Sequence, residues 1–249
     1  MTEKLYFQYP LCAAAYGHSE DERMKAIIAY CAVQLGAREW TKLNEIERAK
    51  FLSTVQQLPG FDSEDARHCG AAYGMTFMGL QQEAPGKLLE THDLLSQFIT
   101  DRETKWGRDA KVRVRRDILL AARYGNLRSE HFCVFGAILS LIGTKTFGWG
   151  TLPMLRARAL GYKSNSVMNG SIGERRDGQQ PMSNDQLGNS IAFLHARKFF
   201  ACVVKDDKSF FSIRLDPNEL ERLVNVSTQR QSNAPIQVGN ACKKAKPWE

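Results

Sequence analysis

The side chains best suited to recognition chemistry lie close together late in the chain. Asn184, Gln186, Asn189 and Ser190 are followed by Arg197, Lys198, Lys205 and Lys208. An amide side chain offers a donor beside an acceptor and can pair in two places with one base edge, that of adenine in particular. Arginine and lysine pair with phosphate oxygens and release condensed counterions. Any exposed helix carries some asparagine and glutamine, so the elements that position these residues decide what they mean.

Ser183 is placed to cap a helix, because its hydroxyl can accept a backbone N–H of the first turn. Leu187, Ile191 and Leu194 then follow at i, i+4 and i+7 and share one face, which predicts a helix over 183–198. The other face carries the amides, Ser190 and Arg197. Residues 201–205 and 208–215 are rich in Val, Phe and Ile and meet at Asp206-Asp207, as the two strands of a hairpin would. Alternation puts Phe211, Ile213 and Leu215 on one side and Phe210, Ser212 and Arg214 on the other.

A polar-faced helix running straight into a basic-tipped hairpin resembles the recognition helix and wing of winged helix-turn-helix proteins. The resemblance covers residues 129–215 and rests on pattern, not on an invariant motif. Within it, 129–142 is expected as an apolar first helix capped by Ser129, and 143–150 as a small strand beside the wing. Thr151-Leu152-Pro153 opens the next helix, since proline is tolerated in a first turn. LRARALGYKSNSV also has a helix-turn-helix look, but Arg156 and Gly170 stand where apolar residues are usual. That makes 164–172 the weaker recognition-helix candidate and 183–198 the stronger. The resemblance implies a double-stranded DNA partner, with Asn184, Gln186, Asn189 and Ser190 towards the bases. Arg197 and Lys198, with Lys205 and Lys208 from the wing, would meet phosphates.

Further cations extend this expectation. Between residues 102 and 128 there are nine Lys and Arg against three acids. The segment is read as one helix that buries Val112, Val114, Ile118, Leu119 and Ala122. Arg113, Arg116 and Arg123 would then share an outer face, flanked by Lys111 and Arg115, to lie along a phosphate backbone. A surface helix with solvated arginines explains the same residues equally well. Lys163 and the loop pair Arg175-Arg176 complete the candidate set.

The charge is unevenly spread. Residues 1–100 hold 9 Lys and Arg against 13 Asp and Glu, whereas residues 101–249 hold 25 against 14. One half suits a polyanion and the other does something else. The acidic half reads as helical. Ser19 and Glu22 have capping-box spacing before a stripe of Met24, Ile27, Ile28, Cys31 and Leu35 that Gly36 is expected to end. A second helix is expected over 41–58 and a third from Asp62 or Ser63. The glycines of GAAYGMTFMGL match no phosphate-cradling pattern and point to close backbone packing. The expected domains are an acidic helical region (1–86), a basic segment with a winged-helix domain (87–226) and a disordered basic tail (227–249). The fold class is mainly α with a small β hairpin.

Other classes find less support. The six cysteines include no CxxC, and no histidine stands at zinc-finger spacing from a cysteine pair. No carboxylate pair has the context of a metal-dependent nuclease, so no enzyme and no cofactor is expected. No apolar run reaches the length of a membrane span, and the first residues lack a signal-peptide layout, so a cytoplasmic protein is expected. The expected function is duplex DNA binding as a transcriptional regulator or a replication or mobile-element accessory factor. The N-terminal half would serve a homodimer or a protein partner. The alternative is a protein-interaction module that uses the same fold without DNA.

Overall fold

The longest apolar run of the sequence becomes the centre of the molecule. In the computed structural model, which describes residues 6–17, 19–80, 83–170 and 181–232, helix α6 (Ser129–Ile142) is buried on nearly every side. Phe132, Val134, Phe135, Ile138 and Ile142 are each at most 3% exposed. Ser129 is not its cap. It is the first helical residue, and Arg128 holds the cap position without a side-chain bond. The fold is mainly α with two small antiparallel sheets.

Around α6 the chain begins with β1 (Tyr6–Pro10) and a short 3-10 helix, Leu11–Ala15. Helix α1 (Glu20–Trp40) follows, its first turn capped by the Ser19 hydroxyl, which accepts from the Glu22 N–H at 3.1 Å. It does not stop at Gly36. Helix α2 (Glu45–Val55) is shorter than expected because Asn44 and Glu47 form a reciprocal capping box that fixes its start. Helix α3 (Ala66–Met78) runs through Gly70 and Gly74 of the glycine-rich stretch and ends at Gly79, whose φ of 65° makes it the left-handed cap. The reason it passes the first two is its contact with α1. A Cβ on Gly36 would sit 2.0 Å from the Gly70 carbonyl oxygen, and one on Gly74 would sit 2.0 Å from that of Ala32. Only glycine allows two backbones so close, and packing offsets its poor helix propensity.

Helix α4 (Pro85–Trp106) starts at proline. The basic segment after it is not one helix. Lys111–Arg115 forms strand β2, paired antiparallel with β1 from Tyr6 opposite Arg115 to Pro10 opposite Lys111, and only Arg116–Arg123 is helical (α5). In a helix Val112 and Val114 would point about 200° apart. In a strand both point inward, and here both are buried against α6 while Lys111, Arg113 and Arg115 face out.

After α6 come β3 (Gly148–Gly150), α7 (Leu152–Ala159), α8 (Asn165–Gly170) and α9 (Asn184–Ala196). Strands β4 (Ala201–Lys205) and β5 (Lys208–Ser212) then form the hairpin, and the sheet order is β3-β5-β4. Asp206 and Asp207 have φ of 49° and 58°, the left-handed pair that a two-residue turn of matching twist requires. Both faces of this sheet are covered. Phe211 joins the main core, while Phe210 and Ala201 meet Leu220 and Val224 of α10 (Pro217–Ser232). Ile213, expected beside Phe211, is exposed because the strand has ended. Helix α10 continues past Val226 to Ser232, into the stretch expected to be disordered. One apolar cluster includes residues from Phe7 to Phe211 and so crosses position 86. Among the described residues, no helix is long and apolar enough to cross a membrane.

Two glycines test this packing in opposite directions. Gly36→Ala forces α1 from α3 and should cost about 1–3 kcal/mol. Gly188, inside α9, has nothing within 4 Å of a built Cβ, so Gly188→Ala should add roughly 0.5–1 kcal/mol. Urea unfolding midpoints measure both.

Candidate nucleic-acid interface

Helix α9 is held by both of its ends and by one face. At its start the Ser183 hydroxyl accepts from the Gln186 N–H, and the Gln186 side-chain oxygen accepts from the Ser183 N–H at 2.9 Å. Leu187 and Leu194 are fully buried and Ile191 partly so. Ser190 belongs with them. It is 1% exposed, and its hydroxyl lies 3.0 Å from Nδ1 of His131 on α6. The expectation that Ser190 faces outward is therefore corrected: a hydroxyl paired inside the α6–α9 contact cannot reach a base. The His131 ring also stacks on Phe193, with centroids 4.2 Å apart. Burial pushes the pKa of His131 below its ordinary value, against the opposing pull of Glu130.

The three amides have different duties. Asn184 accepts a hydrogen bond from the Arg156 guanidinium of α7, so the arginine that departs from the helix-turn-helix pattern tethers the start of α9. Gln186 uses its oxygen in the cap. Asn189 is exposed and has no hydrogen-bond partner among the described residues. It lines a cavity of about 520 Å3 with Asn126, Arg128, His131, Gln186 and Arg197. Asn126 and Arg128 are additions that the sequence reading missed. They lie in the α5–α6 turn, and no local pattern connects that turn to α9.

A second groove, of about 380 Å3, brings Arg113 and Arg115 of β2 together with Arg197 and Lys198 at the end of α9. Arg197 lines both grooves, and its guanidinium lies 4.3 Å from the Phe193 ring centroid. Lys198 adopts φ 61° where the chain turns from α9 towards β4. Arg113 lies over the Tyr6 ring at 4.5 Å. Arg115 is bonded through two nitrogens to Asp117, which lowers the carboxyl pKa below its usual range. Four of the expected phosphate contacts thus meet along one groove, although they come from distant parts of the chain.

The other expected contacts do not join them. Arg123 pairs with Glu83 at 2.6 Å, and Arg116 is half-buried with an Nε atom that has no partner among the described residues. The shared outer face expected for Arg113, Arg116 and Arg123 does not exist, because the strand-to-helix change separates them. Lys163 donates to the Trp106 carbonyl. The described part of the weaker recognition candidate, up to residue 170, holds the six-residue α8, and 171–172 lie outside the described residues. Lys205 is tied to α10 through Asn225 at 2.8 Å and Thr228 at 2.7 Å. Lys208 lies over the Trp149 ring at 4.8 Å. These two lysines line a separate cavity of about 690 Å3 with Lys145 and Arg158, cations that the sequence reading did not single out. Arg175 and Arg176, and the tail lysines, lie outside the described residues. Among the described residues, no group of three or more His, Cys, Asp and Glu is placed to hold a metal ion.

Comparison with protein-family models, with curated proteins and with solved structures found no match.

The burial of His131 has a pH signature. The folded-state pKa lies below the ordinary value of about 6.5, so the unfolded chain takes up a proton first as pH falls. Its stabilisation is present above pH of about 6.5 and is lost below it. Stability should therefore fall on acidification through that value, and His131→Gln should flatten the slope. Urea unfolding across a pH series checks this.

Proposed function

We propose that the protein binds double-stranded DNA, with the unit from α6 to β5 used as a winged helix. The observation that carries the reading is the groove in which Arg113, Arg115, Arg197 and Lys198 meet beside the outer face of α9. Among the described residues lining it, four cations face a single acid, Asp117, which engages one of them, Arg115, and leaves Arg113, Arg197 and Lys198 as the excess positive charge. Such a surface suits a phosphate backbone running past the end of a helix whose exposed amide reads a base edge.

The element order supports the same reading. A helix, a short strand, further helices and a hairpin, with the first strand paired to the last, make the arrangement in which winged-helix proteins present the helix before the hairpin. In this reading Asn189 is the principal reading residue, because Asn184 and Gln186 already hold α9 in place. Arg197 and Arg113 position the duplex. The chain acts by binding, in regulation of transcription or as an accessory in replication or mobile-element control, with no catalytic step.

The mutational test separates positioning from reading. Arg197→Ala and Arg113→Ala should weaken binding to every duplex and each reduce the salt slope by about 1. Asn189→Ala should instead shift preference among sequences, by roughly 1–3 kcal/mol at one base pair. Asn184→Ala should act mainly on stability, through the lost Arg156 contact. Affinities measured on a randomised duplex library report the first three, and urea unfolding reports Asn184→Ala. An equal loss on all sequences for Asn189→Ala would remove α9 from base reading. Unchanged duplex binding in both arginine variants would favour a protein partner for this face.

A further inference from the structure

The basic groove does not end at Arg113. Arg113 and Tyr6 also line a larger cavity, of about 800 Å3, between β1 and the outer side of α1. Its walls carry Arg38, Lys42 and Lys111 as further cations, with Tyr30 as an aromatic wall. Among the described residues lining it, Glu39 is the one acid, and it is engaged by both Arg38 and Lys42 at 2.9 Å. The cavity thus keeps an excess of positive charge, with Arg38 and Lys42 from the acidic half of the chain and Lys111 and Arg113 from the basic half.

The aromatic wall is held in place. Tyr30 stacks on His92, with centroids 5.4 Å apart and the rings 16° from parallel. Asp93 holds His92 Nδ1 at 2.9 Å and is itself gripped by Arg67 through both carboxylate oxygens. Tyr6 stands 37% exposed at the junction of the two grooves, with Arg113 over its ring. A cationic trough with aromatic rings along it is the construction that binds unpaired nucleic-acid strands, through phosphate contacts and base stacking together. A cavity of this size admits a few nucleotides of one strand, whereas a duplex can only rest on its rim.

We infer that the cavity between β1 and α1 binds a single-stranded segment of nucleic acid that continues from the duplex held along Arg113, Arg115, Arg197 and Lys198. The inference rests on the duplex-binding reading for its direction, but the cavity makes its own testable contacts. Lys42 and Lys111 would meet phosphates, and Tyr6 and Tyr30 would stack on bases.

The test compares an oligothymidylate of about 20 nucleotides with a duplex of similar length, using the full chain and fluorescence anisotropy. The wild-type protein should bind both. The double variant Lys42→Ala/Lys111→Ala should lose about tenfold in affinity for oligothymidylate and change by less than about twofold on the duplex. An iodouracil-substituted oligonucleotide should cross-link to Tyr6 or Tyr30 of the wild-type protein, a readout independent of the variant's folding. Duplex binding without oligothymidylate binding, equal losses on both ligands, or cross-links confined to other residues would overturn the inference. Oligothymidylate binding with no duplex binding would sustain the cavity assignment and sink the duplex reading instead.

Discussion

Burial of α6 on nearly all its faces is the constraint from which the rest of the arrangement follows. A helix carrying Phe132, Val134, Phe135, Ile138 and Ile142 has to be covered on every side, and each such side chain contributes roughly 1.5–3 kcal/mol when fully withdrawn from water. Strand β2 covers one side with Val112 and Val114, α7 and α9 cover others, and the β3-β5-β4 sheet closes the core with Phe211. The outward residues of these covering elements are then brought together without any direct interaction among themselves. Arg113 and Arg115 come to lie beside Arg197 and Lys198 because β2 and α9 share α6 as a support.

That arrangement divides the cations into two kinds. Some have structural work to do. Arg123 answers Glu83, Arg156 holds Asn184, Lys205 anchors the hairpin to α10, and Lys163 meets a helix-end carbonyl. Others lie on aromatic rings, as Arg113 does on Tyr6 and Arg197 on Phe193. These keep their charge towards solvent while their stems and planar heads are restrained, which lowers the entropy that binding an anion would cost. Net positive charge alone did not distinguish the two kinds.

Much of the second half was legible in the sequence because its signals are local. Ser183 marks a cap, Asp206-Asp207 marks a two-residue turn, and the run from Phe132 to Ile142 can only be buried, whereas the part of Gln186 in that cap is seen only in the structure. The basic segment was misread for a reason visible in KVRVRRDILLAAR. Its first residues alternate with period two and its last follow a helical period, and the change falls at Arg116. Ser190 was misplaced because a small hydroxyl on a helix looks outward until its partner, His131, is brought from far along the chain. Gly36 reads as a stop because the chain alone does not show that α3 leans against it. The grooves themselves were not legible, since each is made by residues from separate elements.

The central claim is that the face formed by α9 and β2 holds a duplex by its phosphates. The most direct measurement is binding of the full chain to a random-sequence DNA duplex at several salt concentrations. About three phosphate contacts, from Arg113, Arg197 and Lys198, should make the logarithm of affinity fall with the logarithm of salt at a slope near −3. Absence of binding at low salt, or an affinity that salt leaves unchanged, would contradict the account and direct attention to a protein partner for the same face.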